Sequence, residues 1–575
     1  MKKDSGMKKA ICCMCLMVLA PFMLNAQNKQ STQSKLIAKY RGFHDDAWKK
    51  YEDFRMKCNM KYAEFMKSAW QEYGANPPVA IPEEKRMPLR RYDESKDNTN
   101  SVCIATEEVK ILPMIDMQPM PLCEIPEVAA VDLSEISLNI DTEIGEEALQ
   151  KLLPAMKIKK HGKKISYHSR KKAIAKQEKN QQKRQKEILL EEDAEEEEII
   201  PTYSDLPFAF FGTKMKVRVL DDFKYALPDC DGETLSNAWK LLSTPRFNNT
   251  IRDCLELRSN YNMCDWAYVE MLQAMADAYL GKGTNEAVFF AAYIYCQSGY
   301  QMRLAKKVNK LYMLVASKQF MYNHYFFSID GIDYFTLEEL PYTERLEICN
   351  TNFQDESRLS LFIPKSISLD SDMEKTKTVQ SLRYDDMSIT VTVNKNLMDF
   401  YEQYPSSMVD GDFMTRWAMY ANTPMDKDVQ EQIYPVLRQK LGNYTQREGI
   451  SRLLNMLQTG LKYGLDEDEW GEDRAFFAEE TLYYPVCDCE DKSILFSHLV
   501  RELYGLNILL VYFPGHLLTA VRFDEDVEGN YCMYEGEKYV FCDPTYEGAS
   551  IGRIYPEYLH EKPTVILLNN ESKKP

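Results

Sequence analysis

The run Asp488-Cys489-Glu490-Asp491-Lys492-Ser493-Ile494-Leu495-Phe496 decides how this chain is read. A polar turn passes there into an apolar pattern that continues at Leu499, Val500 and Leu503, the spacing of one helix face. Asp488 is placed to cap that helix, and Asp491, three residues on, can reach back in a capping-box arrangement. Cys489 then falls at the first helical position, where free N–H groups and the macrodipole favour a thiolate over a thiol. Gly505 stops the helix.

A thiol of this kind needs a base. Residues 507–512 read as a buried strand, Pro514-Gly515 as a turn, and His516 as the opening of a strand that runs to Val521. A second hairpin, 531–534 and 538–542, ends at Asp543-Pro544-Thr545. Cys489 at a helix start, His516 at a strand start and Asp543 at a strand end can place a thiol, an imidazole and an orienting carboxylate side by side. His498 lies nine residues along the same helix, which at about 100° per residue turns it to the opposite side. His560 follows in a polar tail. Asp543 before Pro544 also suits a plain turn start, but its strand neighbours that of His516. Asp491 is read as helix-terminus electrostatics and Cys542 as core.

Taken together, Cys489-Glu490-Asp491-Lys492-Ser493, Gly515-His516 and Asp543-Pro544-Thr545 resemble the signatures of the transglutaminase-like (papain-like thiol enzyme) superfamily. The stretch 476–482 resembles the lead-in of its bacterial members. The resemblance implies Cys489 as nucleophile, His516 as base, Asp543 as orienter, and helices packed on an antiparallel sheet. It also implies peptide or glutamine-type amides as substrates, attacked through a thioester. Two positions depart from the pattern. Cys487 stands where the family usually has Gly, which opens a Cys487–Cys489 pairing that would silence the thiol. Leu517-Leu518 follow the histidine where an aromatic is common. Gln458, and with it Trp470, is a candidate for polarising a carbonyl near the thiol, as an oxyanion or substrate residue.

Composition narrows the rest. The net charge of −17 argues against a nucleic-acid binder, since phosphate neutralisation needs a basic surface. There is neither a P-loop nor a Gly-rich dinucleotide turn, so no cofactor is expected. Cys487-Asp488-Cys489 with Asp491 invites a zinc reading, and so does the set Cys487, Cys489 and His516, but structural zinc usually wants a second Cys pair, and no metal is expected. Lys2, Lys3, Lys8 and Lys9 precede an apolar run from Ala10 to Leu24, with Asn25-Ala26-Gln27 behind it. That is the pattern of a secretory signal peptide cut after Ala26, which predicts a periplasmic or secreted bacterial protein. No later stretch approaches membrane-spanning length. Scattered cysteines fix no disulfide framework.

The expected organisation is an α+β multidomain chain. Residues 1–26 are the signal, and 27–80 a helical segment with an aromatic stripe running through Trp48, Phe54, Phe65 and Trp70 to Tyr73. Residues 81–200 are a Pro-punctuated linker whose basic then acidic run (157–198) reads as a solvated tether. Residues 201–322 hold a strand within 206–220 and then four or five helices, with Leu311-Tyr312-Met313-Leu314 in the last of them. Residues 323–395 are β-rich, with a hairpin around Asp330-Gly331 and strands at 359–363 and 387–393. Residues 396–575 form the transglutaminase-like catalytic domain. The function expected is an exported thiol acyl-transfer enzyme acting on protein or peptide; the alternative is a catalytically inactive scaffold or binding protein.

Overall fold

The computed structural model describes residues 49–82, 86–96, 101–106, 108–110, 201–221, 223, 225–340, 345–373, 375–409 and 411–569. The expected signal segment and the charged run 157–198 lie outside the described residues. Two units are distinguished, residues 1–59 and residues 60–575. Among the described residues a helix covers 49–66 and ends before the last aromatics of its stripe. Trp70 and Tyr73 belong instead to a strand, β1 (Trp70–Gly74). Its burial does not alternate, and what makes it a strand is residue-by-residue pairing with 345–349, far away in sequence.

The described residues of the stretch expected as linker are structural. They supply β2 (Arg90–Arg91), β3 (Cys103–Ile104) and β4 (Glu108–Lys110). The period-two stretch forms a hairpin, β5 (Tyr203–Phe210) and β6 (Thr213–Leu220). Four helices follow, Gly232–Leu242, Asn248–Asn260, Asp265–Leu280 and Asn285–Gln297. Asp231 and Thr284 cap the first and last through their side chains.

Leu311-Tyr312-Met313-Leu314 is not helical. It lies in β8 (Lys310–Ala316), paired with β7 (Met302–Lys307). A short apolar run suits either state, and here both faces are buried between neighbouring strands, which favours strand. After β9 (Phe320–Met321), the expected hairpin is present as β10 (Phe326–Ile329) and β11 (Ile332–Thr336). Asp330 and Gly331 make its two-residue turn with φ of 51° and 77°. With β12 (Arg345–Cys349) these strands complete a six-stranded antiparallel sheet ordered β1-β12-β7-β8-β11-β10. The strand expected at 359–363 is absent: only Leu359 bridges, to Ser317, and the segment otherwise runs without ladder partners. β13 (Thr376–Gln380) and β14 (Ser388–Thr392) form a separate hairpin, and β15 (Ser407–Met408) pairs with β9.

The C-terminal part carries helices Lys427–Leu441, Gln446–Gly460 and Cys489–Tyr504. Its sheet comprises β16 (Ile508–Phe513), β17 (His516–Val521), β18 (Tyr531–Tyr534), β19 (Glu537–Cys542) and β21 (Thr564–Leu567), antiparallel throughout, with β20 (Tyr546–Glu547) standing outside it. β3 adds in parallel beside β18, and β4 in parallel beside β21. The edges at β18 and β21 are thereby covered by chain from more than four hundred residues earlier, and the short β3 and β4 become the outer strands. Alternation divides the sheet faces. Leu510, Leu517, Val521 and Cys542 join the main core under the Cys489 helix, while Val511, Leu518 and Phe541 join a second cluster with Tyr555 and Tyr558. The main core draws on residues from Tyr62 to Leu568, so the expected boundaries at 322 and 395 lie inside one continuous apolar cluster. The chain is a mixed α+β protein built on antiparallel sheets, and among the described residues no helix is long and apolar enough to cross a membrane.

Candidate thiol site

The Cys489 helix starts as its sequence dictates. Asp488 is the N-cap in extended conformation and accepts from the Glu490 N–H at 3.1 Å; the Asp488 N–H donates to Asp491 at 3.0 Å, closing the capping box. The other Asp491 oxygen accepts from the Phe476 N–H at 2.9 Å, tying the helix start to the preceding segment. Gly505 ends the helix in the left-handed region at φ 65°, where a Cβ would cost energy. Ser493 donates to the Leu517 carbonyl at 3.0 Å and fixes the helix on β17.

His516 and Asp543 meet. Nε2 of His516 and an Asp543 oxygen are 2.8 Å apart, both fully buried. The second Asp543 oxygen accepts from the Thr545 N–H (2.9 Å), the Thr545 hydroxyl (2.7 Å) and the Tyr546 N–H (3.1 Å). Burial alone would raise this carboxyl; His516 and these donors outweigh it and hold it below its ordinary value. The imidazole lies against Tyr555 and Tyr558, with ring centroids 4.9 and 5.8 Å away. Its Nδ1 is buried and has no hydrogen-bond partner among the described residues.

The Cys489 sulfur meets the backbone beside His516. It accepts from the N–H of Leu517, the residue after His516, at 3.4 Å. The sulfur also contributes, after burial, to the upward push on the phenols of Tyr555 and Tyr558, the two rings beside the imidazole. The thiol itself donates to Glu490 at 3.2 Å and not to His516. Cys487 and Cys489 are both free thiols; Cys487 turns toward the Lys462 carbonyl at 3.7 Å.

The thiol is sealed at 0% exposure. Burial first, then the carboxylates of Glu490 and Asp488, push it well above its ordinary pKa, and Arg86 with the Leu517 N–H pulls only part of the way back. This reverses the expectation of a thiolate: a helix terminus acts over one turn, while complete burial and two adjacent acids act more strongly. Arg86 comes from the stretch ahead of β2. It is buried, pairs with Glu490 and with Asp473 at 2.9 Å, and stands 3.8 Å from Asp488. Asp473 also binds Arg416 at 2.7 Å. Against the pull of burial, Arg86 holds Glu490 down at about 2.

Gln458 lies beside Asp543, with its amide already engaged. Its Nε2 donates to the carbonyls of Asp543 (2.9 Å) and Ala549 (3.1 Å), and its oxygen accepts from Gly548 at 3.3 Å. The side chain braces the loop that carries Asp543, leaving no donor for an oxyanion. Trp470 packs on Phe476, Tyr484 and Arg474. His498 is half-buried beside the Tyr420 backbone, and desolvation, then Arg501, holds it down at about 3. Among the described residues, the acid, thiol and imidazole groups within ligand reach of one another are Asp488–Cys489–Glu490, Asp466–Asp488–Asp491 and Asp466–Asp473–Glu490; none contains Cys487 or His516. Neither set weighed for zinc is therefore assembled as a whole, since Cys487 stands outside all three groups. Glu490, Arg86, Tyr555 and Tyr558 were missed in the sequence; an acid next to the cysteine was the one local signal.

Buried carboxyls here give a pH dependence of stability. Burial, then Glu490, raises Asp466 to about 8, and burial raises Glu479 to about 8. A carboxyl raised in the fold keeps a proton that the unfolded chain, with a pKa of about 4, has released. Its contribution is full below that value and is lost as pH climbs through about 8. His498 acts with the opposite sign, but only below its unfolded value of about 6.5. The unfolding midpoint is therefore expected to fall between about pH 7 and 9, and Asp466→Asn to flatten that fall. A wild-type midpoint that stays level over this range would mean that these carboxyls are ionised in the fold.

No family model, no curated protein and no solved structure matches this chain.

Proposed function

We propose that the protein is a thiol acyl-transfer enzyme of the transglutaminase-like, papain-like kind, exported from a bacterial cell. Cys489 is its nucleophile, His516 its base and Asp543 the group that orients the base. The observation that carries this reading is the His516–Asp543 bond through Nε2, which leaves Nδ1 buried and without a hydrogen-bond partner among the described residues. In the reaction the Cys489 S–H proton passes to Nδ1 and the sulfur attacks an amide carbonyl carbon. The Cys489 N–H, at the helix start, faces the developing oxyanion. The carbon–nitrogen bond breaks, the imidazolium returns its proton to the leaving amine, and a thioester remains. Water then releases a carboxylate, or a primary amine forms a new amide.

A specific observation favours a second reading, a binding scaffold without catalysis: the thiol is sealed and bonded to Glu490. Alkylation of Cys489 by iodoacetamide, followed by mass spectrometry in the full chain, separates the two. In the enzyme, His516→Ala slows the reaction by a factor on the order of ten or more. In the scaffold the two rates are equal.

A further inference from the structure

Residues 86–92 lie across the thiol site as an extended strap. The Met87 N–H donates to the carbonyl of Gly515, just before His516, at 3.0 Å, and the Met87 carbonyl accepts from the Tyr463 hydroxyl at 2.8 Å. β2 runs parallel to β20, Arg90 opposite Tyr546 and Arg91 opposite Glu547, and the Tyr92 N–H donates to the Glu547 carbonyl at 2.9 Å. Main-chain bonds of this sort hold any extended peptide regardless of its sequence, and pockets for side chains supply selectivity. One such pocket is filled. Arg86 enters a buried carboxylate set made by Asp473, Glu490 and Asp488, whose Oδ2 is fully buried and has no hydrogen-bond partner. A planar guanidinium suits several carboxylates at once better than an ammonium does.

We propose that residues 86–92 occupy, from within the chain, the peptide-binding cleft of the Cys489 site, and that the Asp473–Asp488–Glu490 pocket selects peptides that present an arginine where Arg86 now sits. This names the substrate class of the acyl-transfer reading and rests on it for its catalytic meaning, though not for binding. A tethered occupant acts at an effective concentration on the order of millimolar, so free peptide enters only in proportion to the time the strap is lifted.

The test is fluorescence anisotropy with the labelled heptapeptide of residues 86–92, and with the same peptide carrying citrulline, the neutral isostere, in its first position. The proteins are full-length wild type, Met87→Pro, which removes the N–H given to Gly515, and Arg90→Ala, which breaks only the exposed pair with Glu557 and the contact with Tyr555. Both variants are expected to bind the arginine peptide more tightly than wild type, on the order of tenfold, and the citrulline peptide more weakly by a similar factor. Arg90→Ala serves should Met87→Pro fail to fold. Equal affinity for the two peptides, or equal affinity of wild type and both variants, overturns the proposal. Should the peptides rank as expected while His516→Ala leaves Cys489 alkylation unchanged, the cleft stands and the catalytic reading alone falls.

Discussion

Asp543→Asn is expected to leave the chain folded and to remove most of its thiol chemistry. One Asp543 oxygen accepts from Thr545 twice and from Tyr546, and an asparagine carbonyl can accept the same three bonds. The other oxygen receives His516 Nε2 at 2.8 Å. An amide NH2 placed there donates, so Nε2 becomes the acceptor and the ring proton moves to Nδ1. The nitrogen that has to take the thiol proton is then already protonated. The expected loss in acyl transfer, or in Cys489 alkylation, is a factor on the order of 10² to 10⁴, with unfolding stability changed by less than about 1.5 kcal/mol. Asp543→Ala should lose both, because the buried donors of Thr545 and Tyr546 are orphaned at about 1–3 kcal/mol each. Wild-type alkylation in the asparagine variant would show that no base is being oriented, and the scaffold reading would take its place.

What could be read from the sequence follows from how far apart the interacting residues are. The Asp488 cap, the Asp491 return bond and the Gly505 stop are contacts within a few residues, so local chemistry specifies them. His516 and Asp543 sit at strand ends marked by Pro-Gly and Asp-Pro turns, and the intervening hairpin fixes which strands neighbour each other. The strap is the opposite case. Its partners lie nearly four hundred or more residues away, and a Pro-punctuated stretch with no periodicity gives no sign that it pairs with anything. The error about the thiol has the same origin: a helix start is visible in sequence, whereas complete burial beside Glu490 and under Arg86 is a tertiary fact. The strand at Leu311–Leu314 was misread because a four-residue apolar run carries no period of its own. Gln458 was placed correctly on a helix near the site, but nothing local shows that its amide is spent on the carbonyls of Asp543 and Ala549.

Arg86→Ala is expected to produce the largest loss of stability of any single change at this site. The guanidinium stands among Asp473, Glu490 and Asp488; Arg416 pairs with Asp473 and adds a weaker pull on Glu490. Removing one member of a buried ion network leaves charges without compensation, at a cost of about 3–5 kcal/mol. The cost should depend on pH in a defined direction. With Arg86 present, Glu490 is held at about 2, and its contribution is fully present above its unfolded value. Without the cation its folded pKa rises, so the variant gains protons on folding, and its deficit shrinks as pH is lowered toward about 5. Denaturant unfolding of wild type and variant at about pH 5 and pH 8 measures this, with the larger difference expected at the higher pH. Hydrogen exchange at the Met87 and Tyr92 amides provides a second reading, since the strap relies on Arg86 for its buried anchor. A difference below about 1 kcal/mol at both pH values, with unchanged protection of those two amides, would mean that water reaches these carboxylates and that Arg86 holds nothing in place.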